Sequence, residues 1–172
     1  MADEFEYFRR SNAIITGRHA DLVDRLWKQN QIKESYIKRL VDIYMIAPII
    51  GIRMQRSVPE DRASDHKRQI PLEQINPNLT TLDAIMKIII LLDETSGKSE
   101  KERIDLAFRG PQSEAEYSRT KELFNSYLRG GIETLYEELI LRHLSFADKY
   151  SDNRIGNIVA LLNNPFVLND ES

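Results

Sequence analysis

The chain has 172 residues, 41% hydrophobic and 30% charged, which is long enough for one domain with a sizeable core. It has no cysteine, which removes disulfide frameworks, thiolate metal sites and cysteine nucleophiles together and fits a cytoplasmic setting. The net charge of −3 argues against a generic nucleic-acid coat, but residues 1–70 carry 13 Lys+Arg against 10 Asp+Glu and residues 71–172 carry 11 against 17, so a basic face can exist on an acidic protein.

The first residues, MADEFEYFRRSN, hold no apolar signal-peptide core. Phe5, Tyr7, Phe8, Ile14 and Ile15 keep no helical period, so residues 1–16 read as an arm or a short strand. Gly17 permits a turn, and residues 18–30 read as a helix with Leu22, Val23, Leu26 and Trp27 on one side.

Residues 36–54, YIKRLVDIYMIAPIIGIRM, form a very apolar stretch with helix-start chemistry. Ser35 is the expected N-cap, and Lys38, Arg39 and Asp42 mark a wet side. Beyond Asp42 the wet side disappears, because Met45, Ile46, Ile49 and Ile50 continue that face; the second half should be covered all round. The uncharged run 43–52 is about ten residues, short of the roughly twenty that a membrane span needs, so no membrane insertion is expected. Pro48 and Gly51 imply either a kink near Ala47 or a restart at Pro48.

Residues 57–70, SVPEDRASDHKRQI, read as surface loop, and residues 57–78 as a polar loop region holding at most one helical turn. A second apolar helix follows over 79–92, with Leu82, Ile85, Met86 and Ile89 on one face and no wet side near its end. The two dry helical ends are expected to pack on each other as the core. Ser99 with Glu102 is a capping box opening a helix to Arg109, which Gly110-Pro111 stops. Ser113 with Glu116 is another, opening one long or gently kinked helix over about 114–144. Its apolar rhythm survives Gly130-Gly131, with Gly131 on the stripe where a neighbouring backbone can come close and Gly130 on the wetter side; a break at the pair is the alternative. Asp152 can cap a last helix with Ile155, Ile158, Val159 and Leu162 facing inward, before a flexible tail over 165–172.

The fold class is therefore all-α: a single-domain bundle of about six helices. The common phosphate-cradle, dinucleotide, nucleophile-elbow and zinc-protease signatures are all missing. His19, His66 and His143 are isolated in sequence, and no Glu-x-x-His lies on an inward stripe, so neither metal nor cofactor is expected. The basic cluster Arg53, Arg56, Arg62, Lys67 and Arg68 is the strongest functional signal. It is interrupted by Glu60, Asp61 and Asp65, and no aromatic residue interleaves it to stack bases. We expect Arg53 and Asp93, each at the edge of a dry helical end, to form a structural anchor together or through the 60–65 loop. Arg56, Arg62, His66, Lys67 and Arg68 should then face a partner. By elimination the chain reads as a non-catalytic interaction subunit or adaptor of a larger intracellular assembly, with a protein partner and scope for a homodimer. A nucleic-acid-associated role through residues 53–68 is the alternative, and an enzyme whose site only the fold assembles comes third.

Overall fold

Six helices of ten or more residues make up most of the structure, a computed structural model that describes residues 6–29, 31, 33, 35–142 and 153–163. In chain order the elements are β1 (Ala13–Thr16), α1 (Gly17–Leu26), α2 (Leu40–Arg53), β2 (Lys67–Ile70), the single turn α3 (Leu72–Ile75), α4 (Leu79–Leu92), α5 (Glu100–Arg109), α6 (Glu114–Tyr136) and α7 (Asn153–Leu162). A 3-10 turn, Asn76–Asn78, joins α3 to α4, and a π-helical turn, Glu137–Leu141, extends α6. The helical run ends at Leu141, with Arg142 extended, short of the expected residue 144; residues 143–144, the Asp152 cap and the 165–172 tail lie outside the described residues.

The long helix is unbroken through Gly130-Gly131, because the glycines lie against α2. A methyl group at Gly131 would fall 1.7 Å from the Ala47 carbonyl oxygen, and one at Gly51 would fall 2.0 Å from the Tyr127 carbonyl oxygen. The two backbones therefore touch where side chains would normally hold helices 8–10 Å apart. Gly130 is not on a wetter side: it is buried, and a methyl there would fall 1.8 Å from the Arg56 carbonyl oxygen. The close approach makes α6 the main neighbour of α2, which touches α4 more lightly, so the expected pairing of two dry ends is only a secondary contact.

Helix α2 starts at Leu40, four residues later than expected, because Ser35 serves the preceding loop: its hydroxyl accepts from Lys28 N–H at 3.0 Å and lies 2.6 Å from the Ile37 carbonyl. The helix runs through Pro48 without a restart. It ends in a Schellman motif, with Gln55 at φ 49°, Gln55 N–H donating to Ile52 C=O at 3.1 Å and Arg56 N–H donating to Gly51 C=O at 2.9 Å. The Ser99–Glu102 capping box is complete. Ser113 accepts from Glu116 N–H, but the Glu116 carboxylate turns to Gln112 N–H at 2.9 Å and Lys98 at 3.1 Å.

Strand β1 pairs antiparallel with β2, from Ala13 opposite Ile70 to Thr16 opposite Lys67. β2 was not visible in the polar stretch because only Ile70 of its four residues is buried. Ahead of β1, Phe8 is 2% exposed between Tyr44 and Phe124, and Tyr7 stacks on Tyr117 at 5.3 Å, so this part of the N-terminal segment is a docked arm.

Two expectations about apolar surfaces fail. The dry ends are not covered all round: Ile46 and Ile49 of α2 and Ile88 and Leu92 of α4 are exposed. In α7 the stripe Ile155, Ile158, Val159, Leu162 faces outward, and the inward side carries Asn157, 3% exposed, whose Nδ2 donates to Leu139 C=O at 3.0 Å. Among the described residues, the helical run Leu72–Leu92 is long and apolar enough to cross a membrane by length and composition; here Leu82, Ile85, Met86, Ile89 and Ile90 pack into the bundle.

We expect Gly131→Ala and Gly130→Ala each to cost about 3 kcal/mol, since the obstacle is a carbonyl in a neighbouring backbone rather than a movable side chain. Chemical denaturation checks this, and a cost below about 0.5 kcal/mol at either position would contradict the contact.

Candidate functional site

The residues singled out over 53–68 run from the last residue of α2, along the loop that crosses α6, into the first residues of β2. The Schellman turn aims Arg56 at α6, where its guanidinium reaches Glu133 Oε2 at 2.5 Å and Glu137 Oε2 and Oε1 at 2.6 and 2.9 Å. The next residues stay on α6: Val58 N–H donates to Ser126 C=O at 3.0 Å, and Arg129 Nε donates to Val58 C=O at 2.7 Å. Asp61 then receives Arg18 N–H at the start of α1, at 2.9 Å, and Ala63 N–H at 2.9 Å. These two bonds hold the Asp61 carboxyl below its ordinary range. Gly17 N–H donates to His66 C=O at 2.8 Å, which fastens the far end of the loop.

Beneath the loop lies a charged cluster. Glu133, 5% exposed, receives Arg56 on one oxygen and meets Arg18 at 3.4 Å and His19 Nε2 at 3.2 Å on the other. His19 is 1% exposed and its Nδ1 has no partner. Burial pushes the His19 pKa down, against the opposing pull of Glu133, so the ring favours its neutral form. Arg129, 7% exposed, pairs with Glu122. A buried His–carboxylate pair resembles an acid–base dyad in composition, but both groups are sealed from solvent in this conformation. What they do here is hold the loop, α1 and α6 together.

The partner-facing set divides accordingly. Arg56 is turned onto Glu133 and Glu137. Arg68 forks onto Asp24 at 2.5 and 2.7 Å, and His66 Nε2 sits 3.1 Å from the same carboxylate, so both are matched by α1. Arg62 is the outward member, its side chain 86% exposed with Glu60 at 3.0 Å, and Lys67 is exposed on β2. The proposed Arg53–Asp93 anchor is not how Asp93 is satisfied. Asp93, 1% exposed, receives Thr95 Oγ1 at 2.6 Å, Tyr127 Oη at 2.8 Å and Ser96 N–H at 3.0 Å. Burial pushes its pKa up, but these bonds outweigh it and hold the carboxyl below its ordinary range. Arg53 is among the residues lining a groove with Ile46, Ile50, Leu135 and Leu139. His143 lies outside the described residues, and among those described no group of three His, Asp or Glu is placed to hold a metal ion.

Sequence reasoning missed Glu133 and Lys121, and weighed His19 only as a metal ligand. Glu133 carried one usable signal, a carboxylate one step from the apolar stripe and two residues after a glycine pair. Lys121 carried none. Its ammonium lies 4.1 Å from the Phe8 ring centroid and 5.5 Å from that of Phe124, and it donates to Tyr7 C=O at 2.8 Å. Burial among these rings pushes its pKa down to about 8.

Compared with protein-family models, with curated proteins and with solved structures, the chain matches none.

Two pH effects follow. His19 has a folded pKa below its unfolded value, so the unfolded chain takes up the proton first and stability should fall as pH drops below about 6.5. Lys121 also has a lowered folded pKa, so stability should rise from about pH 8 toward 10, by up to about 3 kcal/mol. The raised pKa of Tyr7 and Tyr127, each about 12, reverses the trend above pH 10. Denaturation midpoints across pH should show both slopes, with His19→Gln flattening the lower and Lys121→Met the upper. Unchanged slopes in these variants would contradict the assignments.

Proposed function

We propose that this chain is a non-catalytic helical interaction subunit or adaptor of a larger intracellular assembly, and that α5 carries its principal protein contact. The supporting observation is Phe108, 68% exposed, with Ile104, 43% exposed, one turn before it on the same face. An exposed phenylalanine at the end of a rigid helix is the kind of anchor that fills a partner's pocket. Lys87 of α4 lies 5.7 Å from the Phe108 ring centroid and can cover its flank without hiding its tip. The short pairing of α5 with α4 and the complete Ser99 capping box give this face a fixed backbone, which lowers the ordering cost of binding.

Charge supports a protein rather than a nucleic acid as the partner. Phosphate recognition needs arginines whose forks are available, and Arg56 and Arg68 each spend theirs on carboxylates of α6 and α1.

Ile104→Glu with Phe108→Glu should leave the thermal midpoint within a few degrees of wild type and abolish co-purification of the native partner, while Arg62→Ala should leave it intact. Salt-sensitive binding of duplex or single-stranded nucleic acid, lost with Arg62→Ala and Lys67→Ala, would favour the alternative reading. Retention of the partner by the double variant would sink the α5 assignment.

A further inference from the structure

We infer that the outward face of α7, together with the groove beside it, is the surface on which a second copy of this chain docks. Ile155, Ile158, Val159 and Leu162 follow one another at spacings of three, one and three, so they share one side of the helix. They are 62%, 40%, 50% and 68% exposed, while the opposite side, with Asn157, is sunk against the end of α6. A ten-residue helix that buries an asparagine and shows water its aliphatic stripe is the reverse of what burial favours for a lone chain. It is what burial favours when the stripe lies in an interface.

Three observations point to a second copy as the occupant. The first is shape. A twofold interface needs one patch to supply both a projection and a recess, because each copy offers the same surface to the other. Here Ile155 and Val159 form the projection. The recess is a groove of about 340 Å³ between α2, α6 and α7, lined by Ile46, Ile50, Leu135, Leu139 and Ile158. It has room for about two aliphatic side chains at interior packing density.

The second is area. With Ile46, 43% exposed, the stripe presents roughly 500 Å² of apolar surface. At the roughly 60% apolar share usual for interfaces, that corresponds to about 800 Å² per partner, the size of a stable specific contact. The third is charge. Among the described residues of α7, Arg154 is the one charged side chain, and it is turned to the Lys33 carbonyl rather than along the stripe. Pairing the α7 stripe with its own copy therefore brings no like charges together along the stripe, and Arg53 is the charged side chain among the groove's lining.

The test is sedimentation and light scattering of the full chain over a concentration series. The expected mass is twice the chain's 20.0 kDa, falling toward one copy on dilution. Val159→Glu should weaken self-association by about 100-fold or more with an unchanged thermal midpoint. Ile104→Glu with Phe108→Glu should leave the dimer intact, which separates this surface from the α5 contact. A wild-type chain that stays single at about 100 μM overturns the proposal. So does a dimer indifferent to Val159→Glu, or a monomer that Val159→Glu destabilises, since the stripe would then be covered within its own chain.

Discussion

The backbone contact between α2 and α6 is the constraint on which the rest of the molecule depends. Three carbonyl oxygens, of Ala47, Tyr127 and Arg56, occupy the space where Gly131, Gly51 and Gly130 would otherwise carry side chains. Helices this close leave no freedom in register, so the end of α2 is fixed relative to α6 to within a fraction of a turn. The Schellman turn at Gln55 then leaves Arg56 with a carbonyl on Gly130 and a guanidinium one and two turns further along, on Glu133 and Glu137. The loop's path to α1 follows, since Val58 and Asp61 are bonded to positions that the same contact has set.

This explains why the charge in residues 53–68 became structural. Arginines on a polar loop look available when their neighbours in sequence are the only partners in view. In the fold the neighbours that matter are Asp24, Glu133 and Glu137, between 44 and 81 residues away, on helix faces whose other positions are apolar or solvated. A carboxylate as buried as Glu133 would be expensive alone, and Arg56 and Arg18 are the groups that offset that cost. No local pattern announces such a match, because it depends on which helices the glycines bring together.

What was legible in the sequence was what local physics decides. The all-α class, the capping at Ser99 and Ser113, the turn at Gly17, the two apolar helices and the long helix passing through its glycine pair all follow from side-chain chemistry within a few residues. The partner of each helix does not. The dry end of α2 could pack on α4 by composition, and it packs mainly on α6 because a glycine pair permits an approach that larger residues would forbid. β2 was hidden for a related reason: Lys67, Arg68 and Gln69 owe their strand to Ala13–Thr16 across from them, not to their own propensity.

The apolar surfaces left over carry the same lesson into function. Periodicity shows that Ile155, Ile158, Val159 and Leu162 lie together, but it cannot say whether what lies against them is the protein's own core or something else. Inside one chain the inward side is decided by competition, and in α7 it goes to Asn157, whose Nδ2 bond to the Leu139 carbonyl satisfies a backbone acceptor at the π-helical end of α6. Leu139 lies in the last turn of that helical run, where carbonyls have no partner within the helix, so its oxygen is left for a side chain to meet. A polar requirement at the end of one helix thus turns the next helix over and puts its aliphatic side in water. On this view the exposed stripe is a consequence of how α6 ends and of the side chain that meets its last carbonyls.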